Sequence, residues 1–497
     1  MVAWTVYVSF LGMGALMLVP ADRLRAVRGI ALATALAGLG FALEAAMRYQ
    51  IGPGAAPVQF VTRARWVPAL GMEFHLAADG ISLVLVLLTG ISAVAGVLFS
   101  WNVAHRAKEF FVFYLALIGG VYGVFLSFDL FLLFVFYEVA IIPKYFLIAI
   151  WGSTRKEYGA MKLALYSFVG SAMVLIGLIA TYVVAGARTF DLFALAQYPF
   201  PRDFQYWVFP LMFVGFAILA GLWPFHTWAP TGHVAAPTAA SMLLAGVVMK
   251  LGAYGALRVP MALFPMGLAV WQNTIAVLAV IGIVYGALAA LVQQDFKFVI
   301  GYSSVSHMGF VLLGLMTLNI TGLNGAVLQM FSHGIIAGLL FAVVGRMVYE
   351  RTHTRDLGLL ETMQLSRALP FAAVTFVVAC MAAMGLPGFS GFIAELHVLI
   401  GAWKSFPNFA LVAGAGIVIG VAYSLRVLQK AFFGGSQRTT APAPAVLEPV
   451  SIPERLGAAL LIAATLLVGL YPRLLLDILT PSWRSPLMEV ITRRLSP

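Results

Sequence analysis

Three ionisable residues lie within long apolar runs of this 497-residue chain and could carry protons across a membrane. Lys250 stands alone in the stretch from Ser241 to Arg258, and a helix of this length would hold its ammonium near the bilayer centre at a cost of about 2.5–3.5 kcal/mol. Glu138 and Glu395 occupy comparable settings. Because intramembrane charges usually face a bundle interior or a wet cavity, the three residues predict an ion or proton path.

The composition places the chain in lipid. Hydrophobic residues make up 62% of it and charged residues 10%, whereas soluble domains carry about 25% charged residues. The net charge of +11 would suggest nucleic acid in a soluble protein. Here most basic residues fall in short connections, so we expect contact with membrane lipids and none with nucleic acid. The single cysteine, Cys380, excludes an internal disulfide and a cysteine-held iron–sulfur cluster.

The elements that must position these residues are transmembrane helices, which need about 20 apolar residues each. The sequence predicts an all-α polytopic protein, one transmembrane domain over 1–497, with a retained first helix rather than a cleaved signal. Its fourteen predicted spans are 2–20, 29–48, 79–101, 110–128, 130–151, 161–186, 207–229, 240–259, 270–292, 299–318, 324–349, 368–402, 406–432 and 455–478. The segment 435–454 is expected to be the connection between the last two spans.

Basic residues between the spans predict the orientation. Odd-numbered connections hold more of them than even-numbered ones, which favours odd connections in the cytoplasm and both termini outside. The basic residues of the odd connections are Arg23, Arg25, Arg28, Arg106, Lys108, Arg155, Lys156, Lys297, Arg351, Arg355 and Arg367.

Two predicted spans are interrupted by glycine and proline. Pro224 and Pro230 remove backbone donors within 218–237, and a second Gly/Pro-rich break lies at 384–392. Interrupted spans at corresponding places in two halves indicate inverted repeats. We therefore expect two inverted five-helix repeats, spans 4–8 and spans 9–13, that contain broken helices. The expected divisions are 1–109 for the N-terminal spans, 110–259 and 270–432 for the repeats, and 455–478 for the final span.

Four motifs carry a resemblance to a known family. They are His75-Leu-Ala-Ala-Asp-Gly-Ile-Ser-Leu, Tyr137-Glu-Val-Ala-Ile-Ile-Pro-Lys-Tyr-Phe-Leu-Ile, Pro224-Phe-His-Thr-Trp-Ala-Pro-Thr-Gly-His-Val-Ala-Ala-Pro-Thr-Ala and Tyr302-Ser-Ser-Val-Ser-His-Met-Gly-Phe. From about residue 5 to 478 the chain resembles the antiporter-like subunits of proton-pumping NADH:quinone oxidoreductase, respiratory complex I. Among these subunits it is most similar to chain M (subunit 4), because Glu395 stands where chains L and N usually carry lysine.

The resemblance implies fourteen transmembrane helices and a proton channel in a membrane protein of the bacterial inner membrane. It implies no cofactor and no metal in this chain, with flavin, iron–sulfur clusters and quinone in partner subunits. Membrane-arm chains of the L, N and K types are the implied partners. Two related readings stay open: a subunit of an Mrp-type cation/proton antiporter, or of a membrane-bound hydrogenase or inorganic-carbon uptake complex.

The family's functional residues carry over by position. Glu138 matches the coupling glutamate of the fifth helix, Lys250 the relay lysine of the eighth, and Glu395 the exit-side glutamate of the twelfth. His307 and His333 match the histidines of the polar axis in spans ten and eleven.

One position departs from the family. Leu219 stands where the lysine of the seventh helix is expected, and an unexpected cation, Lys144, follows Glu138. We hypothesise that Lys144 supplies the missing charge to Glu138; otherwise the chain is a variant pump, or one of several M-like chains in its complex. Arg426 corresponds to Lys250 in the inverted repeat and is a further, weaker site residue.

Structural roles compete with these assignments. Backbone carbonyls of a broken helix could satisfy Lys250, and Glu395 could cap a helix. His226 and His233 flank the first break and could bond freed backbone groups, while His307 and His333 could in principle ligate a haem. No Gly-rich phosphate-binding turn between a strand and a helix is found, which argues against nicotinamide binding.

Overall fold

Helices dominate the structure, because only intrachain hydrogen bonds can satisfy a backbone in lipid. The computed structural model describes residues 1–52, 54–434 and 447–492, so the section 435–446 of the predicted connection at 435–454 lies outside the described residues. Within the described part of the chain, twelve helices are long and apolar enough to cross a membrane.

The described residues up to Arg106 form three α-helices and a hairpin. The two strands pair antiparallel, with Arg63 opposite His75 and Gly71 at the turn in a left-handed conformation (φ 67°). The all-α prediction missed this hairpin. The elements are α1 (Trp4–Leu18), α2 (Leu24–Arg48), β1 (Gln59–Val67), β2 (Met72–Ala78) and α3 (Gly80–Phe99).

The first predicted repeat contains the predicted break. Gly221, with φ 82°, ends one helix, and the extended Ala236 and Pro237 end the short helix that follows. Two π-helical turns, Leu244–Val248 and Leu257–Met261, flank the last helix of this region. The helices are α4 (Ala107–Leu126), α5 (Leu130–Trp151), α6 (Lys156–Val184), α7 (Leu192–Gln197), α8 (Arg202–Ala220), α9 (Trp228–Ala235), α10 (Thr238–Leu243) and α11 (Met249–Ala256).

The second predicted repeat is broken between two of its shorter helices, Pro370–Ala383 and Ser390–Ser405, at the place that the sequence indicated. Gly385 (φ 69°) and Gly388 (φ 98°) form this break, in conformations that L residues rarely adopt. The helices are α12 (Pro265–Val292), α13 (Phe296–Met316), α14 (Ile320–Phe341), α15 (Glu350–Thr352), α16 (Leu357–Glu361), α17 (Leu365–Ala368), α18 (Pro370–Ala383), α19 (Ser390–Ser405) and α20 (Pro407–Leu428), followed by α21 (Ile452–Leu470), α22 (Arg473–Leu479) and α23 (Pro486–Thr492).

The observed spans match the predicted ones in all but two places. The first predicted span corresponds to α1 and the twelfth to α18 and α19, and each of these helices is shorter than a full crossing. The count of fourteen and the inverted repeats therefore stay predictions.

Two pairs of aspartates occupy similar places in the two halves. Asp129 caps α5 and forms an isolated antiparallel bridge with Asp191, which caps α7. Asp295 caps α13 and bridges Asp356, which caps α16. In each case an N-cap carboxylate accepts hydrogen bonds from the first free N–H groups of the helix. The correspondence is what two related halves would produce.

Burial separates the central helices from the outer ones. The span from Thr238 to Met261 is buried throughout, as is an 18-residue apolar window of the helix that starts at Ile320, whereas only 28% of the corresponding window on α20 is buried. The enclosed helices carry Lys250 and His333, so the fold holds these polar side chains away from lipid.

Candidate functional site

Lys250 lies on α11, directly after the π-helical turn Leu244–Val248. Its ammonium donates a hydrogen bond to the carbonyl oxygen of Ala245 and lies 2.7 Å from Nδ1 of His333. A π turn changes the regular helical hydrogen-bond pattern, and such turns are frequent at functional sites. Lys250 is therefore held by a backbone carbonyl, as the structural reading supposed, and it also contacts a titratable side chain.

A polar series continues from His333 to Glu395. The rings of His333 on α14 and His307 on α13 lie 5.3 Å apart between centroids. Nδ1 of His307 is 3.2 Å from Oε1 of Glu395 on α19, and Gln329 Nε2 lies 3.2 Å from the same nitrogen. Four predicted site residues from four helices thus form one line, and Glu395 contacts His307 instead of capping α19.

A small cavity lies along this line. Its volume is about 10 Å³ for the centre of a water molecule, which is room for about one water. Two buried polar atoms of its lining residues, His333 Nε2 and Gln329 Oε1, make no hydrogen bond within the described residues. A water at this place could join the two histidines, whereas a haem macrocycle would not fit. The cavity is lined by His307, Gln329, Ser332, His333, Ile336, Ala382, Ala383, Gly391 and Glu395.

Glycines allow the helices to approach at both ends of the series. A Cβ atom on Gly334 would lie 2.5 Å from the carbonyl oxygen of Gly246, so α14 packs backbone to backbone against the π turn before Lys250. A Cβ atom on Gly385 would lie 2.8 Å from Oε2 of Glu395. The helix break therefore gives the carboxylate the space it occupies.

Glu138 and Lys144 lie on α5, outside this connected series. Lys144 is buried, and its Nζ atom and Oε1 of Glu138 each make no hydrogen bond with the described residues. The two groups are close enough for each charge to act on the other. Leu219 is buried near the end of α8, so the structure has an apolar side chain at the expected lysine position.

The remaining predicted residues lie elsewhere. Arg426 donates hydrogen bonds to the carbonyl oxygens of Leu291 and Gln293, so it caps the end of α12 and does not join the series. The ring nitrogens of His233 make no hydrogen bond within the described chain, which contradicts the backbone-bonding reading for this residue. The ring of His226 packs against Tyr285, with centroids 5.0 Å apart.

Sequence reasoning missed a buried ion pair. Arg258, after α11, pairs with Asp79 at the start of α3, and both side chains are enclosed. Arg258 Nη2 also lies 3.2 Å from Ser82 Oγ, and its guanidinium lies 5.1 Å from the ring centroid of Tyr254. Asp79 belongs to one of the recognised motifs, but its partner is 179 residues away and no local pattern links them.

Known proteins share both the sequence and the architecture. The family model described as "NADH:quinone oxidoreductase/Mrp antiporter, TM" matches residues 127–420, more than half of the chain. The chain belongs to this family. NADH-quinone oxidoreductase subunit M of Rhodobacter capsulatus is 37% identical over 443 residues, which cover 86% of this chain and 85% of that protein. Subunit M of Pseudomonas aeruginosa is 38% identical over 441 residues, 86% of this chain and 84% of that protein.

Solved structures agree with this assignment. A chain of respiratory complex I from Thermus thermophilus superposes with a TM-score of 0.88 at 27% identity, with both chains fully covered. A chain of the Mrp complex from Dietzia reaches 0.84 at 21% identity over 99% of both chains, which shows a shared fold. The family and its apolar helices make this chain an integral membrane protein that resembles the subunit M members of complex I.

Proposed function

We propose that this chain translocates protons as the antiporter-like M subunit of a respiratory NADH:quinone oxidoreductase in a bacterial inner membrane. The observation that supports this function most is the line from Lys250 through His333 and His307 to Glu395, in which every side chain is buried or nearly so. Groups of this kind can pass a proton by short shifts along hydrogen bonds, provided that water bridges the wider gap between the imidazoles.

The side chains divide the task by position. Lys250 holds a proton at one end of the line, the two imidazoles each offer one donor and one acceptor nitrogen, and Glu395 receives the proton at the other end. The break at Gly385 places the Glu395 carboxylate beside a helix interruption, where backbone groups and water can reach it. We assign Glu395 to the exit side.

The energy must come from partner chains. Moving one charge against 100 mV costs about 2.3 kcal/mol. We place the flavin, the iron–sulfur clusters and the quinone site in partner subunits and expect no cofactor in this one. Membrane-arm subunits of the L, N and K types would complete the complex.

Glu138 is proposed as the coupling charge, with Lys144 in place of the lysine that Leu219 replaces. The support is burial: Lys144 is enclosed on the same helix as Glu138, and a buried cation without a hydrogen-bond partner is costly unless a neighbouring charge or water stabilises it. The charge of Lys250 would then interact electrostatically with the Glu138–Lys144 pair on α5. The net charge of that pair would in turn depend on the neighbouring subunit.

Proton pumping by the reconstituted complex, measured together with redox turnover, tests this function. We expect Lys250→Ala to reduce pumping at least tenfold. The matched control is Lys404→Ala, because Lys404 lies in the last turn of α19 and its exposed ammonium contacts only Thr321 among the described residues. Undiminished pumping in Lys250→Ala, in a complex that still contains this chain, would contradict the assignment.

An Mrp-type antiporter subunit remains the second candidate, because the Dietzia Mrp chain shares the fold. The composition of the purified complex distinguishes the two. Chains that carry flavin and iron–sulfur clusters would support the respiratory complex, whereas a set of small antiporter chains alone would support the Mrp reading.

A further inference from the structure

A second cluster of titratable side chains lies at the hairpin, away from the series that joins Lys250 to Glu395. Glu73 and His75 are alternate residues of β2, so their side chains share a face of the hairpin, and Asp191 caps α7 beside them. One ligand atom from each of the three lies within 4.8 Å of the other two. His75 and Asp191 are buried, and Nδ1 of His75 is 3.0 Å from Oδ2 of Asp191.

Arg63 from β1 now supplies the positive charge to this cluster. Its guanidinium contacts the Glu73 carboxylate and lies 3.4 Å from Oδ2 of Asp191. The Arg63 side chain is 52% exposed, so it can turn into solvent at little cost. The carboxylates would then face the cation that replaces it.

We propose that Glu73, His75 and Asp191 form a binding site for Zn²⁺ or a similar divalent transition metal, with Arg63 as the internal cation that the metal displaces. One imidazole and two carboxylates are ligands that Zn²⁺ accepts, and three protein ligands leave a fourth position for water. The imidazole disfavours Ca²⁺ and Mg²⁺, which take oxygen ligands. This site is independent of the proposed proton path.

The bound metal would join three elements. Glu73 and His75 would fix β2 to the N-cap of α7, and the backbone N–H of Glu73 already donates to Oδ2 of Asp129, the N-cap of α5. The metal would therefore restrain the end of α5, the helix that carries Glu138. The hairpin belongs to an even-numbered connection, so the predicted orientation puts the site on the outer face, where external metal can reach it.

Zn²⁺ binding to the purified complex by isothermal titration tests the site. We expect His75→Ala to lose one equivalent of bound Zn²⁺ and Arg63→Ala to bind at least threefold more tightly, because its competing cation is gone. His353→Ala is the matched control, since His353 is exposed and outside the cluster, and it should bind as the wild type does.

The two hairpin variants move in opposite directions, which separates binding from misfolding. Equal stoichiometry and affinity in the wild type and His75→Ala would overturn the proposal, as would unchanged or weaker binding in Arg63→Ala. If His75→Ala does not assemble, Glu73→Gln gives the same test at a partly exposed position, with a loss of affinity expected.

Discussion

Two regions of the molecule hold their buried charges differently. From Lys250 to Glu395 each charged group contacts a histidine, and the helices approach closely through glycines. On α5, Glu138 and Lys144 interact electrostatically. However, Glu138 Oε1 and Lys144 Nζ lack a hydrogen bond within the described residues. Groups that contact one another in series can transfer a proton from each to the next. A charge pair without fixed hydrogen-bond partners can instead change its charge and influence other ionisable groups electrostatically. The comparison supports the proposal that the connected series conducts protons while the charge pair on α5 couples conduction to the partner chains.

The largest effect should come from removing the end of the connected series. Glu395→Gln keeps the shape of the side chain but cannot carry the charge that His307 contacts. We expect pumping to fall at least tenfold, equivalent to about 1.4 kcal/mol in the barrier. Proton uptake by proteoliposomes measures it, and a variant that pumps at the wild-type rate would remove Glu395 from the series.

Gly385→Ala should have a smaller but clear effect on pumping through the same series. The new methyl group would meet the Glu395 carboxylate at 2.8 Å, and the left-handed backbone adds about 1–3 kcal/mol of strain. Gly388→Ala is the control, because Gly388 has the same kind of backbone strain and its Cβ would meet nothing closer than 4.0 Å. We expect slower pumping in Gly385→Ala than in Gly388→Ala. Equal rates would show that strain alone matters.

For the charge pair on α5, Lys144→Met should reduce pumping less than Lys250→Ala does. If Lys144 acts through Glu138, the double variant with Glu138→Gln should pump no more slowly than Glu138→Gln alone. Leu219→Lys, which restores the family residue, should recover part of the activity in the Lys144→Met background. Additive losses in the double variant would separate Lys144 from Glu138.

The smallest expected effect is on stability, at the N-terminal end of α5. Burial raises the pKa of Asp129 from its ordinary 3.8 to about 6. A raised acid pKa stabilises the fold below the unfolded value, and that stability is lost as the pH rises through the folded value. Asp129→Asn keeps a capping side chain without the charge. Thermal melting should show the variant more stable than the wild type at pH 8, by at most about 3 kcal/mol, and little different at pH 4. The same difference at both pH values would contradict this account.

The sequence was sufficient for most of the helices and for singling out Lys250 and Glu395, which the structure joins in one series. Long apolar runs predicted the spans, glycine and proline predicted both breaks, and isolated charges identified Lys250 and Glu395. The histidines needed the family resemblance, because a histidine in an apolar helix is ambiguous by itself. How these groups contact each other depends on four helices that are distant in the chain.

Other features could not be read from local patterns. The hairpin was missed because its two strands lie between two long apolar spans and are interrupted by Arg63, Arg65 and Glu73, so they looked like a connection between spans. The Asp79–Arg258 pair was missed because each residue alone resembles a charge at the end of a span. Arg426 was assigned by the predicted repeat correspondence, yet its guanidinium donates to backbone carbonyls at the end of α12 and does not join the series.

The most direct test of the connected series is the replacement of its central link by a ring without nitrogens. His333→Phe keeps an aromatic side chain beside Lys250 but removes both nitrogen atoms, and His105→Phe is the control at an exposed histidine. In proteoliposomes that contain the whole complex, we predict that pumping falls at least tenfold in His333→Phe and is unchanged in His105→Phe. Wild-type pumping in an assembled His333→Phe complex would contradict the account.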